Sequence, residues 1–120
     1  MKQIALMAAA ATSLWLMAGC GSYPAPNERL VNSQASVRAA QEVGAQNNPQ
    51  AALHLKLAQE QVEQARQLIG DSDNKRAEFI LLRAEADAEL AVAMAREASA
   101  RTEAQQALDE LKALKNGDRK

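Results

Sequence analysis

The sequence is poor in the residue types from which most active sites are built. Its 120 residues include a single Cys, Cys20, and a single His, His54. Because no second His or Cys can complete a metal or proton-transfer site, we expect His54 to pack or to face solvent. We therefore predict that the protein is not an enzyme and holds no metal or cofactor. With one Cys, an intramolecular disulfide is also excluded.

Aromatic side chains and excess positive charge are scarce as well. The chain has one Trp, one Tyr and one Phe, and a formal net charge of −1. Nucleic-acid binding requires a basic surface, commonly with aromatic rings on which bases stack. We therefore expect no nucleic-acid partner. What the chain does have in quantity is alanine, the strongest helix former.

Residues 1–19, which precede Cys20, are predicted to be a targeting segment. After Met1 and Lys2, an apolar run extends over 4–17 and ends in Ala18-Gly19-Cys20. A bilayer span needs about 20 apolar residues, so this run is too short to span and suits a signal peptide. The segment resembles the lipobox of bacterial lipoproteins, although Met17 stands where Leu is usual.

The lipobox resemblance implies an export route and an anchor. Residues 1–19 would be a lipoprotein signal peptide, and Cys20 would carry the lipid and begin a tether over residues 20–27. Two or more acyl chains anchor a protein stably. Gly21, not Asp, follows Cys20, and by the enteric sorting pattern this favours an outer-membrane anchor with the body facing the periplasm. An inner-membrane location is the alternative.

The remaining residues predict an all-α domain over residues 28–115, followed by a polar tail over 116–120. Helix breakers divide the domain into helices at about 28–44, 49–69 and 73–115. We expect Asn27 and Asn48 to be N-caps, and Gly44 and Gly70 to end the helices they follow. Gly44, two Asn and Pro49 favour a chain reversal and an alanine-rich antiparallel three-helix bundle with a long C-terminal helix. The alternative is an equal-armed hairpin whose first arm, 28–69, is only kinked there.

Small apolar residues follow two lines along the third helix at four-three spacing. One line begins at Ala77 and Leu81 and continues to Thr102; the second runs from Leu82 to Leu114. Two lines indicate two packing partners. Because alanine buries little surface, we expect self-association or binding to another envelope protein. The predicted interface residues on the second line are Ala93, Ala100, Ala104, Ala107 and Leu111.

Two family resemblances accompany these patterns. Gly44-Ala45 with Pro49, and the Ala-rich segment 84–88 around Asp87, resemble the envelope lipoproteins of the domain-of-unknown-function family 4398. Arg119-Lys120 at the terminus resembles the small alanine-zipper murein lipoproteins, in which the terminal lysine is joined to peptidoglycan. The first resemblance implies a membrane-anchored helical scaffold or interaction module. The second implies an alternative, a structural tether linked to peptidoglycan through Lys120.

Overall fold

The structure is a computed structural model that describes residues 22–117. Cys20 and Lys120 lie outside the described residues. Three α-helices follow one another: α1 (Asn27–Glu42), α2 (Pro49–Gly70) and α3 (Asn74–Gly117), with a short 3₁₀ turn, Ala45–Asn47, between α1 and α2. No strand occurs in the described part of the chain. The prediction of an all-α domain with a long C-terminal helix is confirmed.

Contacts along α3 show how the helices run. Ser33, near the start of α1, contacts Leu81 near the start of α3, and Ala40 near the end of α1 clusters with Ala91. The α1 and α3 helices are therefore parallel. Since Ala51, at the start of α2, belongs to the same cluster as Ala91, α2 runs against both. The molecule is a bundle in which successive helices are antiparallel, and the kinked-hairpin alternative is wrong.

The reversal between α1 and α2 is built from Gly44 and Asn48. Gly44 has a φ of 76°, a left-handed backbone conformation that is energetically unfavourable for residues with a Cβ. Its carbonyl accepts a hydrogen bond from Asn47 N at 2.9 Å. The Asn48 side chain then accepts from the backbone N–H groups of Gln50 and Ala51, each at 3.0 Å, so Asn48 is the N-cap that the sequence predicts.

The α2 helix ends at Gly70, as the sequence predicts, but a later residue supplies the left-handed conformation of the turn. Gly70 is the last residue of α2, and the left-handed conformation falls on Ser72, with a φ of 62°. Backbone bonds from Asp71 N to Gln67 O, 2.9 Å, and from Asp73 N to Leu68 O, 2.8 Å, close the helix end. The reason is that the helix continues one residue past Ile69, which shifts the position requiring positive φ beyond the glycine.

The prediction of Asn27 as the N-cap of α1 is wrong. Asn27 is the first helical residue, and Pro26 occupies the N-cap position, where no side chain accepts a hydrogen bond. Leu30 N instead donates to Pro26 O at 3.0 Å. Because proline fixes φ near the helical value and suits a helix start, the helix begins one residue earlier than expected.

Both α1 and α2 pack on the first apolar line of α3. Every residue of this line from Ala77 to Ala95 is buried, and so are the α2 positions predicted to face it, apart from the half-buried Ile69. Coverage then ends, since Ala98 is half-buried and Thr102 is exposed. The largest fully buried side chains in the described part are Leu81 and Ser33. The core is thus a thin, alanine-dominated layer.

Candidate functional site

The second apolar line of α3 lies on the side of the helix opposite the bundle. Ala84 is fully buried and Ala93 is exposed. They are nine residues apart, about two and a half turns at 3.6 residues per turn. Neither α1 nor α2 covers this side. The sequence predicts a packing partner for this line as well; no element of residues 22–117 supplies one.

Large apolar side chains concentrate on this opposite side. Nine large hydrophobic residues are exposed in the described part of the chain, and six of them belong to α3. At 100° per residue these six fall within an arc of about 120°. We call this surface the outer face of α3. Its large members are Phe79, Leu82, Leu90, Leu108, Leu111 and Leu114.

The predicted interface residues all lie on the outer face. Ala93, Ala100, Ala104, Ala107 and Leu111 are exposed, and Leu111 retains 63% of its surface. The structure places them on one line of α3. Neighbouring positions of this line are three or four residues apart, and Glu97 occupies the position between Ala93 and Ala100. Phe79 and Leu108 were missed by the sequence reading. The signal for Phe79 is its position seven residues before Ala86.

The C-terminal part of α3 extends beyond the bundle. The α1–α2 turn reaches as far as Glu103, where it lines a shallow depression with Ser99 and Thr102. Residues 104–117, which we call the overhang, are exposed throughout. Fourteen residues make about 21 Å of helix at 1.5 Å per residue. Most helical stability in proteins comes from packing an amphipathic face, and the overhang packs against no other element among the residues that the structure describes.

Charges of opposite sign border the outer face. At 100° per residue, basic side chains follow the border nearer α2 and acidic side chains the border nearer α1. Two residues depart from this pattern: Arg96 lies among the acidic residues, and Lys75, in the first turn of α3, lies on the outer face itself. The basic border consists of Arg76, Arg83, Arg101, Lys112 and Lys115, and the acidic border of Glu78, Glu85, Glu89, Glu103 and Glu110.

A polar cluster joins α2 to α3 midway along the bundle. Asp87 Oδ1 lies 2.9 Å from His54 Nδ1, and Asp87 Oδ2 accepts a hydrogen bond from Gln61 Nε2 at 2.8 Å. His54 and Gln61 are seven residues apart and so share one side of α2. The side chains of His54 and Asp87 are 24% and 22% exposed. His54 is therefore a packed, partnered residue, which is one of the two roles predicted for it.

Ser33 is a second buried polar contact that the sequence reading missed. This polar residue of α1 is fully buried. Its Oγ lies 2.8 Å from the carbonyl oxygen of Arg29 and 3.0 Å from that of Leu81. The small hydroxyl lets α1 approach α3 closely while satisfying its own hydrogen-bonding need.

The tether is attached to the first turns of α3. The Tyr23 hydroxyl donates to Glu78, and Asn74 Nδ2 donates to the Tyr23 carbonyl at 2.7 Å. The hydrogen bond to Glu78, burial and the charge of Glu78 raise the pKa of Tyr23 above 10.0, while the Arg29 charge opposes this rise. The segment before α1 is thereby held at the end of the bundle farthest from the overhang.

The described residues contain neither a helix apolar and long enough to cross a bilayer nor a group of three His, Cys, Asp or Glu side chains placed to hold a metal. A groove between α1 and α2 is lined by Val37, Arg38, Val62 and Arg66, among others. Glu63 neutralises Arg66 at 2.6 Å across one turn of α2. With Arg38 included, the side chains that line the groove carry a net charge of +1.

Comparison with known proteins identifies the family. The model of a domain of unknown function, DUF4398, matches residues 28–115. The chain belongs to the DUF4398 family. Neither the curated proteins nor the solved structures contain a significant match. The family match includes most of the overhang, so the projecting part of α3 falls inside the family domain.

The residues that carry the family resemblance build the α1–α2 turn and the contact between α2 and α3. Gly44 supplies the left-handed turn, Ala45 is buried beneath it and Pro49 begins α2. In the second motif, Ala84 and Ala88 are buried in the core, and Asp87 holds the polar cluster. These family features are therefore explained by the reversal and by the α2–α3 contact. They leave the outer face of α3 as the candidate functional surface.

Proposed function

We propose that this protein is a non-enzymatic envelope lipoprotein, anchored to the outer membrane through Cys20, whose helical domain binds protein in the periplasm. The outer face of α3 carries the proposal. It combines Leu111 and Leu114, 63% and 70% exposed, with an overhang that contacts nothing else in the described chain. Exposed apolar surface of this extent is typical of interaction sites.

The attachment of the tether supports an orientation. Tyr23 contacts the first turns of α3, and the three residues from Cys20 to Tyr23 span at most about 10 Å. A lipid on Cys20 would therefore hold the start of α3 near the membrane. From Glu78 to Lys115 the helix covers about 55 Å at 1.5 Å per residue. The overhang would then be presented away from the membrane.

The anchor is tested by replacing Cys20 with Ser. In the parent strain we expect the protein in the outer-membrane fraction and labelled by a radioactive fatty acid. Cys20→Ser should abolish the label and the membrane association, because lipid transfer requires the thiol. Membrane association that survives Cys20→Ser would contradict the proposed anchor.

The interaction role is tested by photocrosslinking in cells. A photoreactive residue at Ala107, on the outer face, should give discrete heavier species. The matched control is Ala113, which is also exposed on the overhang but lies on the opposite side of the helix. Equal yields at the two positions would count against a specific surface.

A second candidate function is a tether joined to peptidoglycan through Lys120. The geometry that favours it is the separation of the two ends of the domain, about 55 Å along α3 by the helical rise, with the tether held at one end only. Sacculi boiled in detergent should then retain the protein, and Lys120→Ala should release it. Absence of the protein from wild-type sacculi would end this proposal.

A further inference from the structure

We infer that the outer face of α3 binds the same face of a second copy of this chain, with the two α3 helices running in the same direction. This inference rests on the proposed function, because it names the partner of the surface assigned there. Three properties of the outer face support it: its area, its alternation of large and small side chains, and the charges along its two borders.

The full line is large enough for a stable contact, whereas the overhang alone is too small. From Phe79 to Leu114 the face is about 52 Å long and about 10–12 Å wide, or roughly 550–600 Å² per copy. Two copies would bury about 1,200 Å², the lower limit of specific interfaces. The part of the overhang within this line, from Ala104 to Leu114, contributes about three tenths of that length. Both copies therefore have to align along most of α3.

The alternation of leucine and alanine side chains along the outer face suits packing against another helix with the same alternation. Between the leucines, the surface is lowered by four exposed alanines, Ala86, Ala93, Ala100 and Ala104. Small residues allow two helix backbones to approach closely. The four-three spacing is the pattern by which side chains of one helix enter spaces on a second. A second copy supplies both the leucines and the shallow positions.

Charge decides the direction of the second helix. When two copies pack in parallel through one face, the basic border of each meets the acidic border of the other, except at Arg96. An antiparallel copy would bring basic against basic and acidic against acidic. In and next to the overhang, Arg101, Lys112 and Lys115 lie on one border and Glu103 and Glu110 on the other. Such flanking charges set the orientation of helix pairs.

Glu97 is the charged residue within the apolar line. It is bonded to Arg101 on the same helix at 2.6 Å, so it would enter the contact with its own counter-charge. A single polar position in such a line fixes register at some cost in stability. A parallel pair would also place both tethers at the same end, because each Tyr23 contacts the start of its own α3. Two lipid anchors could then share one membrane.

The first test uses full-length chains with two different epitope tags, expressed together. A photoreactive residue at Ala107 should give a heavier species carrying both tags, and the same residue at Ala113 should give none. A heavier species that contains one tag and another protein would overturn the inference while supporting the proposed interaction role. No heavier species at Ala107 would count against both.

A matched pair of substitutions measures the same contact. Ala107→Asp places carboxylates of the two copies against each other, so we expect the yield of doubly tagged species, probed at Ala104, to fall on the order of tenfold or more. Ala113→Asp adds the same charge on the opposite side of the overhang and should change the yield less than about twofold. Equal yields from the two variants would overturn the inference.

Cysteine crosslinking tests the direction. In a parallel pair, Ala93→Cys on one copy faces Ala93→Cys on the other, so a disulfide-linked dimer should form on oxidation. Ala93→Cys and Leu111→Cys on different copies would be about 27 Å apart along the axis and should not crosslink. The unsubstituted chain, treated identically, gives the background from any copies whose Cys20 thiol is not lipidated. Efficient mixed crosslinking between positions 93 and 111 would overturn the parallel arrangement.

Discussion

Leu81 offers the sharpest test of the bundle, because it is the one large apolar side chain with no exposure in the described part of the chain. Replacing Leu81 with Ala removes three carbons, about 2.4 kcal/mol of transfer free energy at 0.8 kcal/mol per methylene. Its buried neighbours include Ala77, Ala84 and Ala65, whose short side chains cannot move in to fill the space. The cavity raises the expected loss in the free energy of unfolding to about 3 kcal/mol or more.

This loss is large for a domain of this size. A described body of residues 22–117 should have an unfolding free energy of about 5–14 kcal/mol. A loss of 3 kcal/mol would lower Tm by at least about 12 °C, taking 4–8 °C per kcal/mol for small domains. Urea and thermal denaturation followed by circular dichroism measure both quantities.

Leu53→Ala is the matched control. It makes the same change within a helix, so intrinsic helix propensity contributes equally. Leu53 is 56% exposed and lies on α2, away from the outer face of α3. We expect it to cost about 1 kcal/mol or less, in proportion to the surface it buries. If Leu81→Ala cost no more than Leu53→Ala, the packing of α1 and α2 on α3 described above would be wrong.

Three further predictions concern polar contacts and turns. Asp87→Ala should lower the unfolding free energy by about 1–3 kcal/mol in urea denaturation, because it leaves the partly buried donors of His54 and Gln61 unpaired. The control, Asp109→Ala on the exposed overhang, should change it by less than about 0.5 kcal/mol. Ser72→Gly should raise the unfolding temperature by relieving about 1 kcal/mol of left-handed backbone strain; an unchanged or lower temperature would contradict that conformation. Tyr23 is the one tyrosine of the chain, so phenolate absorbance reports its pKa directly: the midpoint should lie above 10.0 and move back toward it in Glu78→Gln. Because the folded pKa is raised, the stabilisation from this contact is present below pH 10 and is lost as Tyr23 ionises above it.

The family features and the core line were accessible to sequence reading for a common reason. Ala51, Leu55 and Ala58 recur at a helical period, and period alone identifies which side of α2 is buried. The breaker at Gly44 and Pro49 is likewise local chemistry, since glycine permits positive φ and proline suits a helix start. The prediction of Asn27 as an N-cap failed because a shift of one residue at a helix end costs little, so local preference decides such ends poorly.

The candidate site was predicted in part. The residues Ala93, Ala104 and Leu111 were assigned to one line from their spacing, and the structure places them on one exposed surface. Spacing could not say that α1 and α2 would share the first line and leave the second uncovered. The pairing of Asp87 with His54 and Gln61 was also beyond the sequence, because it joins residues separated by 33 and 26 positions.

By itself, the sequence determined three helices, the break between α1 and α2 at Gly44 and Asn48, and the alanine-rich line that becomes the core. Each of these follows from propensity, capping or periodicity, which act within a few residues. Only the tertiary structure decided that α1 lies parallel to α3, that Ser33 is buried, and that the outer face and overhang have no cover in the described chain. The physical reason is that alanine lines pack almost interchangeably. Which line is buried depends on how all three helices fit together, a property that no single segment of the chain contains.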